Sequence, residues 1–181
     1  MIVVLLVRYF NGPPSVDPRQ DVDEGPRKVE RVVDGDTLIV EGNVRVRLIG
    51  VNAPESVKPD HPVEPWGPEA SEFTRKFLAS GPARLSFDRE RVDQYGRQLA
   101  YVWVGERLLN EELLREGLAR WEPNYHYQEP MKQRFRQAQK EAKAARRGIW
   151  SDDKRSQRSP ALDPIAFGIT PPISRSAILA F

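Results

Sequence analysis

Three short stretches carry polar side chains that strand packing does not require: VVDGDT (32–37), VRVRLIGVNAPE (44–55) and RVDQYGRQLAY (91–101). Together they offer carboxylates at Asp34, Asp36 and Glu55, guanidiniums at Arg45, Arg47 and Arg97, and an amide at Asn52. Carboxylate and amide oxygens suit hard cations. Guanidiniums match oxyanions through bidentate hydrogen bonds and stay charged at any working pH. A carboxylate can orient or deprotonate water, although near its ordinary pKa it is a weak base. Each stretch also has an ordinary explanation. Asp34 and Asp36 flank Gly35 and can cap a turn. Arg45 and Arg47 alternate with Val44, Val46 and Leu48, which puts them on the outer, solvated face of a strand. Gly96 marks a solvated turn. Pro54 ends the second stretch's strand and leaves Asn52 and Glu55 at the mouth of a turn. Spacing alone leaves turn and site both open.

The elements that must position these residues are legible in residues 28–150. KVERVV (28–33), DTLIVE (36–41) and NVRVRLIG (43–50) alternate like antiparallel strands, with Glu41-Gly42-Asn43 as a tight hairpin. WGPEASEFTRKFLAS (66–80) predicts a helix with Pro68 in its first turn and Ala70, Phe73, Phe77 and Leu78 on its apolar face. ARLSFDRE (83–90) and RQLAYVWV (97–104) predict two more strands. Asn110 is placed to cap a helix over 111–119, with Glu111 and Glu112 at its positive end. A last helix, 130–147, aligns Met131, Phe135, Ala138, Ala142 and Ala145, and Gly148 is its expected C-cap. Five strands with a helix between the third and fourth is the order of a five-stranded OB-type Greek-key β-barrel. With two further helices the fold class is α+β, a barrel with three helices.

VVDGDT, RLIGVNAPE, WGPEASEFTRKFL, DQYGRQLAYVWV, LNEELLREGLAR and RRGIW, in this order and spacing, resemble the staphylococcal-type nucleases (thermonucleases). The resemblance covers roughly 28–152, and that family's fold is the one inferred from the strand and helix order. It implies catalytic roles for Arg47, Glu55 and Arg97. It also implies a calcium ion held by Asp36, by residue 52 and by the backbone carbonyl of Ala53. Tyr95, Tyr125 and Tyr127 would contact substrate phosphates and bases, which aromatic rings can stack with little sequence preference. The expected function is a calcium-dependent, sequence-nonspecific nuclease acting on DNA and RNA. It would cleave the 5′-side P–O bond and leave 3′-phosphate ends. The sequence departs from the pattern at Asn52, where the family carries an aspartate, and at Pro123, where it carries a tyrosine. The alternative is an OB-fold binding module that has lost catalysis. Such copies lose the arginines or the glutamate, and here Arg47, Glu55 and Arg97 are all present.

The bulk composition bounds the rest. The chain has 181 residues, 28 Lys and Arg against 26 Asp and Glu, and no cysteine, which excludes disulfides, zinc thiolates and thiol nucleophiles. Charge is uneven: Met131 to Arg147 holds seven basic residues against Glu141, a pattern that fits a nucleic-acid footprint or the solvated face of an amphipathic helix. Residues 1–27 read as an apolar segment and flexible linker, 28–152 as the folded domain, and 153–181 as a disordered tail. MIVVLLVRYF at the N-terminus is too short to span a bilayer and has no basic residues ahead of its apolar run. It is either a remnant of a secretion signal or a plain apolar strand, and the resemblance favours a secreted or cell-envelope location. A monomer is expected, and no protein partner is identifiable.

Overall fold

Alternation and turn chemistry build the first sheet layer as expected. In the computed structural model, which describes residues 24–56 and 63–151, β2 (Val29–Asp34), β3 (Thr37–Val40) and β4 (Val44–Leu48) form an antiparallel meander. The β3–β4 hairpin turns through Gly42 and Asn43, both at positive φ (83° and 59°), as a tight connection between right-twisted strands requires. β6 (Ala83–Ser86) and β7 (Gln98–Val104) complete the five predicted strands, and β7 joins β4 in parallel. Short additions follow: β1 (Gly25–Arg27), β5 (Val51–Asn52), β8 (Arg107–Leu108) and β9 (Arg120–Trp121).

The sheet runs β1-β6-β7-β4-β3-β2, with β8 on β7, and β5 and β9 pair separately. This is a mixed sheet of OB type. No ladder joins β1 to β2, so hydrogen bonds do not close the barrel. The two edges are nevertheless one chain bent at Lys28, which gives β1 to β6 and β2 to β3. Residues 25–27, expected as linker, therefore belong to the sheet, Gly25 pairing with Leu85 and Arg27 with Ala83. The expectations for residues before 24 and for the tail 153–181 lie outside the described residues.

Three helices pack on this sheet: α1 (Gly67–Ala79), α2 (Leu109–Arg115) and α3 (Glu129–Ala144), and a 3₁₀ turn follows at Gly148–Trp150. The core is Leu38, Val40, Val46, Leu48, Leu85 and Leu99 from the strands, continued by Leu109, Leu113, Leu114 and Phe135 from α2 and α3. Each such side chain contributes roughly 2 kcal/mol by leaving water, which makes the strands and α1 a stiff frame for what they carry. Two expected caps differ. Asn110 lies inside α2, fully buried; its amide donates to Ile49 O at 2.9 Å and its oxygen accepts from Val102 N at 3.1 Å. It ties the helix to the sheet because burial leaves its amide no water to bond. α3 ends at Ala144, and Arg146 (φ 52°) makes the left-handed turn before Gly148 opens the 3₁₀ turn. A cleft of about 790 Å³ between the β1–β2 bend and the end of α1 is lined by Arg27, Lys28, Arg75, Leu78 and Pro82, among others, and by no residue of the site below.

Candidate active site

The turn between β2 and β3 is built around Gly35, where a Cβ would stand 2.7 Å from the Cβ atoms of both Ala53 and Ala70. Only glycine lets the DGD turn, the chain leaving β5 and the first turn of α1 close on one another. Thr74 of α1 fastens the turn by donating to Gly35 O at 2.7 Å. Asp36, buried at this junction, accepts from the Thr37 hydroxyl on Oδ1 (3.1 Å) and from the Ala53 amide on Oδ2 (2.6 Å).

Arg47 meets Asp36 directly. Its Nη1 lies 2.8 Å from Asp36 Oδ2 and its Nη2 donates to Asn52 Oδ1 at 3.0 Å. Alternation along β4 predicts a solvated side chain, and Arg45 is indeed exposed, but Arg47 is only 5 % exposed. The chain turns at Gly50 (φ 77°) into β5, which brings the Asn52 amide oxygen and the Ala53 N–H back to the Arg47–Asp36 pair. A guanidinium and carboxylate removed from water are stable only while both partners remain, so this pair fixes the junction geometrically. Asp34 is crowded against it. Burial, and then the charge of Asp36, push the Asp34 pKa up from 3.8 to about 6, against the opposing pull of Arg47.

Glu55 is held on a loop braced by α1. Glu64 donates its backbone N–H to Glu55 O at 2.8 Å and accepts the Glu55 N–H on Oε2 at 3.1 Å. Gly67, the first residue of α1, is so close that a Cβ there would stand 2.6 Å from Glu55 O. The Ser56 amide donates to Glu55 Oε1 at 3.1 Å.

Arg97 is oriented by a residue that the sequence reading did not single out. Asp93 accepts from the amides of Tyr95 (2.9 Å) and Arg97 (3.0 Å) on Oδ1 and from Arg97 Nε on Oδ2 (2.7 Å). One carboxylate thus shapes the turn and aims the arginine, leaving the two terminal nitrogens for a ligand. The signal was in the sequence: an acid two residues before Tyr-Gly-Arg can take both turn amides. Tyr95 is 75 % exposed, its ring 5.4 Å from the Arg97 guanidinium.

Tyr125 stands on the loop between β9 and α3. Its half-buried hydroxyl is raised from 10.0 chiefly by burial, and the charges of Arg47, Arg97, Asp93 and Asp36 all act on it. Tyr127 is 4 % exposed, accepts from Trp121 Nε1 at 2.7 Å, donates to Glu122 O at 3.2 Å and packs on Phe135. The expectation of a substrate contact at Tyr127 gives way to a core role, because the ring fills the space left open by Gly50.

The donors around Asp36 are all oxygen, from the Asp34 and Asp36 carboxylates and the Asn52 amide, which fits a hard divalent cation. Asp36 and Asn52 lie close enough for one guanidinium to bridge them. Among the described residues no three Asp, Glu, His or Cys side chains cluster as a metal set. A cation here would therefore draw on neutral oxygens as well.

A buried Asp–Arg pair, a braced glutamate and a second, pre-aimed arginine are the side-chain types that suit an anionic ester. The family model for staphylococcal nuclease homologues matches residues 45–152. The chain belongs to that family. It is 45 % identical over 159 residues to the thermonuclease of Staphylococcus hyicus, an alignment covering 83 % of this chain and 92 % of that one. The thermonuclease of Staphylococcus intermedius is 47 % identical over 156 residues, covering 82 % and 90 %. An SPbeta prophage-derived endonuclease of Bacillus subtilis (strain 168) is 42 % identical over 131 residues, covering 68 % and 43 %. No helix among the described residues is long and apolar enough to cross a membrane.

Proposed function

We propose that this nuclease, a hydrolase of nucleic-acid phosphodiester bonds, is calcium-dependent and sequence-nonspecific, acts on both DNA and RNA, and leaves 3′-phosphate ends. The observation that carries the reading is the buried guanidinium of Arg47, which bridges Asp36 and Asn52 at 2.8 and 3.0 Å, the latter three residues before Glu55. Arg47 and Arg97 bind the non-bridging oxygens of the phosphodiester and stabilise the negative charge that grows on them. Glu55 orients the attacking water and accepts its proton. Water adds to phosphorus, the 5′-side P–O bond breaks, the departing oxygen takes a proton from solvent to become the 5′ hydroxyl, and the phosphate stays on the 3′ end. Asp36, Asn52 and the Ala53 carbonyl are the residues that would hold a calcium ion, and when bound it would supply a hard positive charge beside the phosphate. Tyr125 contacts the phosphate and Tyr95, exposed at the rim, offers a ring for a base to stack on.

The test is hydrolysis of plasmid, single-stranded DNA and RNA with calcium and then with chelator, with end-group analysis of the products. Glu55→Gln and Arg97→Gln should each lower kcat by about 100-fold or more. If both variants cut as well as the parent, the assignment of these residues is wrong. If the parent cuts equally with chelator, the calcium requirement is wrong.

A further inference from the structure

Beside the catalytic loop the fold builds a cationic strip that the chemistry above does not use. Antiparallel pairing sets Arg120 of β9 opposite Asn52 of β5, and paired residues project to the same face of a sheet. Asn52 reaches Arg47, so Arg120 rises on the face of the site itself, roughly 5 Å away at the Cα. Its guanidinium lies 4.7 Å from the centre of the Trp150 ring, and Lys143 approaches the same ring at 4.4 Å. Arg136 lies 4.8 Å over Trp121. Arg136, Gln139 and Lys143 recur at helical spacing on one stripe of α3, and Gln139 docks that stripe by accepting the Trp121 N–H at 2.9 Å.

Other cations of this region are neutralised internally: Arg134 pairs with Glu111, and Arg115 with Glu111 and Glu112. Arg120, Arg136 and Lys143 are exposed and, among the described residues, have no carboxylate within ion-pair distance. An ordinary solvated helix face leaves its cations swinging among rotamers. Here indoles hold them. A guanidinium laid on an aromatic ring keeps its N–H donors at the edge, ready for phosphate, and less side-chain freedom remains to be lost on binding. Fixed, unneutralised cations with interleaved aromatics suit a chain of phosphates better than an isolated anion.

We propose that Arg120, Arg136 and Lys143, set on Trp121 and Trp150, bind the nucleic-acid strand beyond the scissile phosphodiester and so favour polymeric substrates over short ones. This rests on the nuclease reading above and extends it from the reacting bond to the strand that carries it.

The test uses the full chain carrying Glu55→Gln, so that substrate is bound and not cut. A labelled single-stranded oligodeoxynucleotide, long enough to cross from Glu55 over α3, is titrated by fluorescence anisotropy at several salt concentrations. Combining Arg120→Gln, Arg136→Gln and Lys143→Gln should weaken binding roughly tenfold and flatten the log–log salt dependence by about 2, near 0.7 per lost phosphate contact. The corresponding Arg→Lys changes at 120 and 136 should keep the slope. With Glu55 restored, the variant carrying only Arg136→Gln and Lys143→Gln should still hydrolyse a dinucleotide at the parental rate. If the triple variant folds poorly, Arg136→Gln and Lys143→Gln alone should each flatten the slope by about a third as much. An unchanged affinity and slope for the long strand overturns the proposal. So does a parallel loss on the dinucleotide, which would mean that the strip supports only the fold of the site. Should the parent cleave neither substrate, the nuclease reading fails while the anisotropy still decides whether the strip binds.

Discussion

Replacing Asp34 by asparagine isolates the electrostatic strain at the DGD turn. The amide side chain would be the same size and could keep the acceptor that Asp34 Oδ1 provides for the Asp36 amide at 3.1 Å. It could not ionise. In the parent, burial and the Asp36 charge raise the Asp34 pKa from 3.8 to about 6. That is roughly two units, or about 3 kcal/mol, by which ionised Asp34 is less comfortable folded than unfolded. The raised folded pKa sets the sign: the protonated carboxyl is fully accommodated below pH 4, and stability is lost as pH rises from about 4 through about 6. Asp34→Asn should therefore match the parent near pH 4 and exceed it by about 2 to 3 kcal/mol above pH 7. Urea unfolding in metal-free buffer with chelator, followed across this range at constant m, measures the difference directly, since the other titrations are common to both proteins. Excess calcium should narrow the gap by relieving the repulsion in the parent. A difference that stays flat with pH, or a variant less stable than the parent at neutral pH, would refute the reasoning.

Three further outcomes follow from the same geometry. Asn52→Asp adds a charged oxygen beside Asp36 and should tighten calcium binding roughly tenfold by calorimetry; an unchanged Kd means residue 52 is not a ligand. Gly67→Ala would gain up to about 1 kcal/mol in helix propensity, but the Cβ would stand 2.6 Å from the Glu55 carbonyl, a backbone atom that cannot swing aside. The clash should win, lowering both the melting temperature and kcat as the Glu55 loop shifts, and a stabilised, fully active variant would show that the loop yields freely. Tyr127→Phe should cost about 1 kcal/mol of stability, through the lost Trp121 and Glu122 contacts, at unchanged kcat, whereas Tyr125→Phe should lower activity with little effect on unfolding. The reverse pattern would exchange their roles.

The elements of this protein were legible because their signals are local. The alternation of Val44, Val46 and Leu48 and the Gly42-Asn43 turn act within a few residues, and so does the apolar spacing of Ala70 and Phe77, so neighbours in sequence suffice to read them. Membership of the nuclease family was legible for a related reason, since the motifs that carry it are contiguous. What the sequence could not decide was which polar side chains leave water. Arg47 obeys the same alternation as Arg45, and its contacts with Asp36 and Asn52, brought to it from other elements, go with its burial while Arg45 stays exposed. Tyr125 and Tyr127 stand two residues apart on one loop, and packing against Gly50 and Phe135 sends Tyr127 into the core while Tyr125 stays partly exposed. Asn110 reads as a cap by its type and becomes a buried tie because Ile49 and Val102 lie beside it in space. Burial, partner choice and pKa depend on contacts between residues far apart in the chain. Those contacts exist only once the sheet and helices have closed on one another.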